Sequence, residues 1–412
     1  MKLPGNLHLT YCSNIHPGES WEEVRKNLGI YLPNIRKQLC PEQPFGVGLR
    51  LSDQAARTLG EPAALLEFEQ FLAREDCYVF TLNGFPYGVF HHARVKEEVY
   101  LPDWRDTERL EYTNRMAAIL ARLLPEEEGL EGSVSTVPGA FKGALENTAE
   151  SGEYRRVMAR NMLAHAAELH RIREQTGKTI TLALEPEPCC MIETVEEAVD
   201  FFQDYLHSPT LQIELANILK VSQQEAEAIT KRHIGLCYDA CHMAVEFEDM
   251  ATSLRALQEA EIKICKFQIS SALALQFERG DGQPEKLLRP FVESTYLHQV
   301  VERSPGGMTR YVDLPEALAD AENTQSDGEE LGEPVEWRVH FHVPVFLDQM
   351  ENFGTTQSQL GELLELIRSG SHCPYLEVET YTWDVLPEQY RTDELSAAII
   401  RELEWVKKRI TP

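Results

Sequence analysis

The stretch Thr179–Pro188, TITLALEPEP, decides the fold. Its even-numbered positions through Leu184 are large and apolar, whereas its odd-numbered positions are small or polar and lead to Glu185. Side chains alternate between the two faces of a strand, so the pattern predicts one apolar face beneath helices and one narrow face that ends in a carboxylate. Pro186 and Pro188 end the strand, because proline cannot serve a central ladder. A parallel α/β barrel carries its chemistry at the C-terminal ends of its strands.

Further segments with strand patterns alternate with helical segments along the chain. They are predicted at Leu7–Ser13, Phe45–Ser52, Cys77–Asn83, Gly132–Val137, His233–Asp239, Ile262–Ile269 and Tyr375–Thr380. This alternation argues for a parallel sheet. With the stretch at Thr179 the count is eight, which favours a (β/α)8 TIM barrel over an open sheet, and no GxGxxG follows the first strand to suggest a dinucleotide fold. We expect residues 1–412 to form a single barrel domain.

Ser271–Glu336 interrupts the alternation between the seventh and eighth strands. This segment, the excursion, contains a predicted hairpin, HQVVERSPGGMTRYVDL, with Pro-Gly-Gly at the turn, and an acidic loop, NTQSDGEELGEP. Trp337–Phe346 also has a strand pattern. We expect it to extend the excursion beside the barrel mouth, since as a barrel strand it would contradict the count of eight.

The composition excludes several classes of protein. A net charge of −28 disfavours a nucleic-acid partner, because phosphate binding needs a basic surface. No apolar run approaches the ~20 residues of a membrane span, and the N-terminal segment has no signal-peptide pattern. The nine cysteines are scattered without a CxxC pair, which is typical of reduced thiols. We expect a cytoplasmic protein.

Four consecutive predicted strands end in polar residues that face the inside of the barrel. These rim residues are Glu185, Asp239, Gln268 and Glu379. A single acid at a strand end is more often a helix cap or a loop contact, but four polar groups in matching register favour a metal or polyol site. Three carboxylates would repel one another without a cation. Their oxygens suit Mg²⁺ or Mn²⁺, and nearby His242 or His342 would shift the preference toward Mn²⁺, Co²⁺ or Zn²⁺.

Other polar residues near the strand ends are weaker candidates. Lys266 and Glu377 lie one layer deeper on neighbouring strands, and we predict that they form an ion pair, because neither charge is tolerated there alone. Arg50 would bind a phosphate or carboxylate, or it would brace the acidic interior. His340 and His342 alternate on one face and either line the mouth or have a structural role. The candidate substrate-binding residues are His242, Lys266, Arg50, His342, Asn14 and His16, with Asn83 and His91 nearby.

The motifs ALEPEP, YDACH and KFQIS, with a glutamate on the final strand, resemble the xylose-isomerase-like superfamily. That superfamily includes sugar (phosphate) isomerases and epimerases and the endonuclease IV barrels. The resemblance implies a TIM barrel with one divalent ion, Mn, Mg, Co or Zn. The implied metal ligands are Glu185, Asp239, Gln268 and Glu379. The resemblance also implies that His242 contacts substrate and that Glu185 and Glu379 are the catalytic acid/base groups. Many members have histidine where this chain has Gln268, so the resemblance does not determine which metal ion is bound.

The whole chain, from NLHLTYCSNIHPGE through HFHVPVF to LEVETYTW, is more similar to the EboE-type metabolite traffic proteins. These are bacterial barrels associated with moving a secondary-metabolite precursor toward the cell envelope. The resemblance implies other proteins of a metabolite-export pathway as partners.

Three functions remain open from the sequence. The first is a metal-dependent isomerase or epimerase acting on a small polyhydroxylated or carbonyl metabolite. The second is a barrel that binds or helps to transport a metabolite without turnover. The third, an endonuclease IV-like nuclease, would need further ligands such as His91 and His92, and the acidic charge disfavours it.

Overall fold

The computed structural model describes residues 1–91, 95–145, 151–326, 334–350, 353–370, 373–391 and 393–411, with the backbone alone for 324–326. Within them the strands are, in chain order, β1 (Lys2–Leu3), β2 (Leu7–Tyr11), β3 (Phe45–Arg50), β4 (Cys77–Asn83), β5 (Glu131–Thr136), β6 (Thr179–Leu184), β7 (Ile234–Asp239), β8 (Lys263–Ile269), β9 (Leu273–Glu278), β10 (Val300–Ser304), β11 (Gly307–Tyr311), β12 (Pro334–Val339), β13 (Gln349–Met350), β14 (Phe353–Thr355) and β15 (Tyr375–Val378).

The α-helices of the same residues lie mainly between the parallel strands. They are α1 (Trp21–Leu39), α2 (Asp53–Leu59), α3 (Pro62–Arg74), α4 (Thr107–Leu123), α5 (Ser151–Thr176), α6 (Val195–Phe201), α7 (Pro209–Leu219), α8 (Gln223–His233), α9 (Ala240–Val245), α10 (Met250–Glu259), α11 (Gln283–Leu288), α12 (Leu314–Ser326), α13 (Gln357–Ser369) and α14 (Leu395–Ile410). No helix in the described part of the chain is long and apolar enough to cross a membrane.

The parallel strands form a barrel, as predicted. Their order is β2, β15, β8, β7, β6, β5, β4 and β3, and each hydrogen-bonded pair is parallel. The barrel closes between β2 and β3, where Cys12 and Gly48 form a bridge. Thr10 reinforces this junction: its hydroxyl donates to the Gly46 carbonyl (2.7 Å) and accepts from the Gly48 N–H (3.1 Å). The fold is therefore a (β/α)8 TIM barrel.

The central strand β6 has the two faces that its sequence predicts. Ile180, Leu182 and Leu184 are fully buried in the main core beneath the helices. On the opposite face, Ala183 packs inside the barrel with Cys237 of β7. The small inward side chains leave space at the barrel axis, so polar groups at the strand ends can approach one another.

The excursion forms the greater part of a second, antiparallel sheet. Its strand order is β11, β10, β12, β9, β14 and β13. The predicted hairpin is confirmed, with Ser304 of β10 paired to Gly307 of β11 across the turn. Trp337 lies in β12, which pairs with β9 and β10 outside the barrel, so the placement beside the barrel is confirmed. The sheet continues to Thr355, beyond the predicted end of the excursion.

Several element ends differ from the sequence predictions. His233 belongs to α8 rather than to the next strand, because the helix continues until Ile234 takes an extended conformation. Residues 340–346 form no strand, because the pairing of β12 ends at Val339. The helix α12 was not predicted. Most of the acidic loop, residues 327–333, lies outside the described residues.

Gly48 sits where the closing strands leave no room for a side chain. A Cβ atom there would lie 1.9 Å from Glu377 Oε1 and 2.6 Å from the Tyr11 carbonyl oxygen. We predict that Gly48→Ala lowers the free energy of unfolding by about 1–3 kcal/mol or more, as overpacking of cores does. The matched control is Gly354→Ala in β14, where the nearest atoms would be 3.8 Å away. Thermal unfolding of both variants checks this, and equal midpoints would contradict it.

Candidate metal centre

The rim residues come from four neighbouring strands of the barrel. Glu185 follows β6, Asp239 ends β7, Gln268 lies in β8 and Glu379 follows β15. One oxygen each of Glu185, Asp239 and Glu379 lies within 4.8 Å of the other two. All of these side chains are buried. The structure thus brings the predicted carboxylates together at the C-terminal end of the barrel.

Several polar atoms of the rim have no hydrogen-bond partner among the described residues. They are Glu185 Oε2, Asp239 Oδ2 and both amide atoms of Gln268. Leaving a buried polar group unsatisfied costs roughly 1–3 kcal/mol, so these atoms indicate a missing ligand. Carboxylate and amide oxygens are the donors that hard divalent cations prefer. The residues present therefore fit a divalent metal ion.

The protonation of the rim reflects the same crowding. Burial, together with the charges of Glu379 and Asp239, holds the pKa of Glu185 well above its usual range. Burial and the charge of Asp239 raise the pKa of Glu379 to about 8. Burial also acts to raise the pKa of Asp239, but the neighbouring imidazoles and a hydrogen bond from Ser270 lower it overall. A bound cation would relieve the repulsion that favours protonation of the glutamates.

Two amides fix one oxygen of Glu379. Asn14 Nδ2 and Asn83 Nδ2 both donate to Glu379 Oε1, at 2.8 and 2.9 Å. Asn14 lies in the loop after β2, the strand that pairs with β15, and Asn83 ends β4, so groups from two other strands orient this carboxylate. The structure therefore places Asn14, a predicted site residue, in contact with the rim.

Lys266 and Glu377 form the ion pair that the sequence predicts. Lys266 Nζ lies 2.5 Å from Glu377 Oε2, and both side chains have 0% exposure. Glu377 pairs with Gln268 in the β15–β8 ladder, and Lys266 precedes Gln268 by two residues on the same face. The pair therefore lies one layer beneath the rim and does not line the cavity described below.

This buried pair gives a test of the barrel interior. We predict that Lys266→Met lowers the free energy of unfolding by about 3–5 kcal/mol, because it leaves a buried carboxylate without its partner. The double variant Lys266→Met/Glu377→Leu should recover most of that loss. Chemical unfolding measures both. As a control, Lys2→Met breaks the exposed pair with Glu127 and should cost less than about 1 kcal/mol. A double variant as unstable as the sum of its single variants would contradict the prediction.

Arg50 and His16 do not reach the cavity. Arg50 is 2% exposed and donates to Glu19 and to the carbonyls of Gly18, Pro86 and Gly88. Its guanidinium joins two loops, which favours the bracing role over substrate binding. His16 Nε2 lies 3.0 Å from the Tyr11 hydroxyl, and the ring of His16 stacks on Tyr31.

The histidines considered as nuclease ligands do not support that function. His91 Nε2 lies 2.7 Å from the Asn14 carbonyl oxygen and its Nδ1 lies 3.3 Å from Glu19 Oε1, so both ring nitrogens face loop groups. His92 lies outside the described residues.

The rim opens into a small, partly enclosed cavity. Its polar lining consists of Asn14, Asn83, Glu185, Glu187, His242, His340 and Glu379. The rest is apolar or aromatic and consists of Phe85, Pro86, Phe90, Val95, Val99, Tyr100, Tyr296, Leu297 and Tyr381. The rings of Phe90, Tyr296 and Tyr381 contact one another, with centroids 4.9–5.4 Å apart. Polar groups at the rim thus share one cavity with an aromatic wall.

Sequence reasoning missed several residues of this cavity. Glu187 accepts a hydrogen bond from the Tyr100 hydroxyl at 2.7 Å. The second glutamate of EPEP was the available signal for Glu187, since it stands two residues after Glu185. Tyr100 and Tyr296 lie in segments without strand or helix periodicity, so no pattern indicated them.

Two histidines lie close to Asp239. One ring nitrogen of His242, one ring nitrogen of His342 and one carboxylate oxygen of Asp239 all lie within 4.8 Å of one another.

Solved structures with a similar overall shape are sugar epimerases and related barrels. The chain is similar to L-ribulose 3-epimerase (11% identity, TM-score 0.47, covering 98% of this chain and 94% of that chain). It is also similar to D-psicose 3-epimerase from Clostridium cellulolyticum H10 in complex with D-tagatose (11%, TM-score 0.46, 98% and 100%). A third is the IOLI protein with a bound zinc atom (14%, TM-score 0.43, 98% and 98%). No protein-family model and no curated protein matches the chain. Similarity at this level carries no information on activity.

Proposed function

We propose that the protein is a metal-dependent isomerase or epimerase that acts on a small hydroxy-carbonyl metabolite. One observation carries the proposal: buried carboxylate oxygens of Glu185, Asp239 and Glu379 lie within 4.8 Å of one another at the C-terminal end of a TIM barrel. Glu185 Oε2, Asp239 Oδ2 and the amide of Gln268 have no hydrogen-bond partner among the described residues. A purely structural role would leave these groups hydrogen-bonded or ion-paired, since burying unpaired polar groups is unfavourable.

The four rim residues would hold the ion. Glu185, Asp239 and Glu379 would contribute carboxylate oxygens, and Gln268 its amide oxygen. When bound, a divalent ion would polarise the substrate carbonyl and so acidify the neighbouring C–H bond. This pairing of an ion with flanking carboxylates suits proton transfer next to a carbonyl.

The two glutamates would move the proton. Glu379 would act as the base, because Asn14 and Asn83 donate to one of its oxygens and so favour its ionised form. Glu185 would carry the proton that is returned to the substrate. Removal of the proton from one face and its return to the other inverts the carbon. Return of the proton to the former carbonyl carbon, with transfer of the hydroxyl proton to the former carbonyl oxygen, isomerises the substrate. His242, which lines the cavity, would contact the substrate.

The aromatic wall narrows the substrate class. A free sugar carries hydroxyl groups on every side, whereas Phe90, Tyr296 and Leu297 contribute apolar surface to the cavity. We therefore favour a metabolite with a hydroxy-carbonyl end and an apolar body. Such a compound agrees with the resemblance to the metabolite traffic proteins, and we propose that the protein acts in the cytoplasm with other proteins of an export pathway.

Deuterium exchange detects the reaction whichever product it forms. The metal-loaded protein is incubated in D₂O with a panel of ketoses and of hydroxy-ketones with apolar substituents. We expect deuterium at the carbon next to the carbonyl, detected by mass spectrometry. Glu379→Gln should lower the exchange rate by at least about 10²-fold, because it removes a positioned base. The matched control is Glu402→Gln, since Glu402 is also buried but lies outside the cavity. Glu402 accepts both of its hydrogen bonds on Oε1, and the amide oxygen of glutamine can accept the same two bonds.

Two results would contradict the proposed catalysis. The first is binding of metal and of a panel compound without exchange under any metal, which would indicate a carrier. The second is equal exchange in wild type and Glu379→Gln.

The aromatic wall gives a separate prediction on affinity. We expect Tyr296→Ala to weaken binding of an apolar-substituted hydroxy-ketone about tenfold, because it removes aromatic contact area. Binding of an unsubstituted ketose should change much less. Tyr205→Ala, at a half-buried tyrosine outside the cavity, serves as the control. Isothermal titration measures both ligands, and an equal loss for both would contradict an apolar subsite.

A further inference from the structure

Three imidazoles meet beside the rim. His242 follows β7 in α9, and His340 and His342 follow β12. His340 Nε2 lies 3.0 Å from His242 Nε2 and 3.1 Å from His342 Nε2. All three side chains are buried, with exposures of 4%, 3% and 0%. We call these residues the imidazole cluster.

Hydrogen bonds at the opposite ring nitrogens fix two of the tautomers. His242 Nδ1 lies 2.9 Å from the Pro186 carbonyl oxygen. His342 Nδ1 lies 3.0 Å from the Glu379 carbonyl oxygen. A carbonyl oxygen only accepts, so both Nδ1 atoms carry the proton and donate. In a neutral imidazole the other nitrogen is then an unprotonated acceptor.

The tautomer of His340 follows from the orientation of Gln299. Gln299 Nε2 donates to the Pro188 carbonyl oxygen at 3.1 Å and to the Tyr100 hydroxyl at 2.9 Å. Because Pro188 offers an acceptor, the amide nitrogen must face it, and the amide oxygen faces His340. Gln299 Oε1 lies 2.7 Å from His340 Nδ1. His340 Nδ1 therefore also carries its proton.

The Nε2 lone pairs of the imidazole cluster consequently face one another. His340 Nε2 lies 3.0 and 3.1 Å from the other two Nε2 atoms, and these acceptors have no proton to share and repel one another in a buried setting. Asp239 Oδ2, which has no hydrogen-bond partner among the described residues, lies 3.9 Å from His242 Nε2. The arrangement needs positive charge. Metal-bound histidines characteristically donate their second ring N–H to a carbonyl or amide oxygen, as all three do here.

We infer that His242, His340 and His342, with Asp239, form a second metal site beside the carboxylate rim. Imidazole donors select borderline ions such as Zn²⁺ or Co²⁺, whereas the rim suits a harder ion. Asp239 would contribute to both sites, with the harder ion held by the rim. The inference of a second site follows from the hydrogen bonds of the imidazole cluster and does not depend on the proposed reaction.

The excursion and the chain that follows it build this site. Gln299 lies just before β10, within the excursion, and His340 and His342 follow β12 directly. The backbone also joins them, because the His340 N–H donates to the Gln299 carbonyl at 2.8 Å. The excursion thus supplies the group that orients His340, and the chain directly after β12 supplies two of the three imidazoles.

Metal stoichiometry tests the inference in the full-length protein. Metal-free protein, prepared with a chelator, is titrated with Co²⁺ and followed by visible absorption, with elemental analysis after gel filtration. We expect two equivalents in the wild type and one in His340→Ala. Gln268→Ala should keep the ion of the imidazole cluster. His165→Ala, at a fully buried histidine in α5, is the control and should keep two.

A milder variant guards against misfolding of His340→Ala. Gln299→Leu leaves all three imidazoles in place and removes only the orienting amide, so it should weaken the Co²⁺ affinity of one site about 10–100-fold. X-ray absorption of the wild type adds a direct readout, because it reports nitrogen ligation.

The possible results of these experiments distinguish two metal sites from one. One equivalent in the wild type, or two in both the wild type and a folded His340→Ala, would overturn the second site. One equivalent that is lost in both His340→Ala and Gln268→Ala would show a single mixed site and would also overturn it. Two equivalents without deuterium exchange would contradict the proposed catalysis and support the second site, whereas one equivalent with exchange would do the reverse.

Discussion

Like charges held together away from water are the constraint on which the rest of this structure depends. Glu185, Asp239 and Glu379 bring oxygens within 4.8 Å of one another in a buried rim. Coulombic repulsion at this distance is strong at the effective dielectric of a protein interior. Burial and repulsion together raise the pKa of both glutamates. The surrounding residues can be understood by how they balance or orient this charge.

The barrel balances the charge in layers. Below the rim, the positive charge of Lys266 and the negative charge of Glu377 form a buried ion pair. At the rim, Asn14 and Asn83 donate to Glu379 from the ends of β2 and β4. Gly48 makes room for this arrangement, since any side chain there would collide with Glu377. The position where the barrel closes is therefore tied to the position of its buried charges.

The barrel, the rim and the Lys266–Glu377 pair could be predicted because they follow from strand periodicity. A period of two assigns each residue to a face, and a parallel register brings strand ends to one edge. Arg50 shows where this reasoning stops. Its position at a strand end was correct, but its partners, Glu19 and the Gly88 carbonyl, lie in loops whose course periodicity does not encode. Tyr100 and Tyr296 were missed for the same reason, since they reach the cavity from irregular segments.

The second sheet changes the chemistry that this barrel offers. A rim of oxygen donors alone would suit one hard ion and a strongly polar ligand. The excursion adds Tyr296 to the cavity wall and Gln299 behind His340, and the chain after β12 adds the imidazoles. The excursion and the chain directly after it therefore share this site with the barrel, which contributes His242 and, from the segment after β4, Phe85 and Phe90. The strands that build the rim and several of the side chains that surround it thus belong to different segments of the chain.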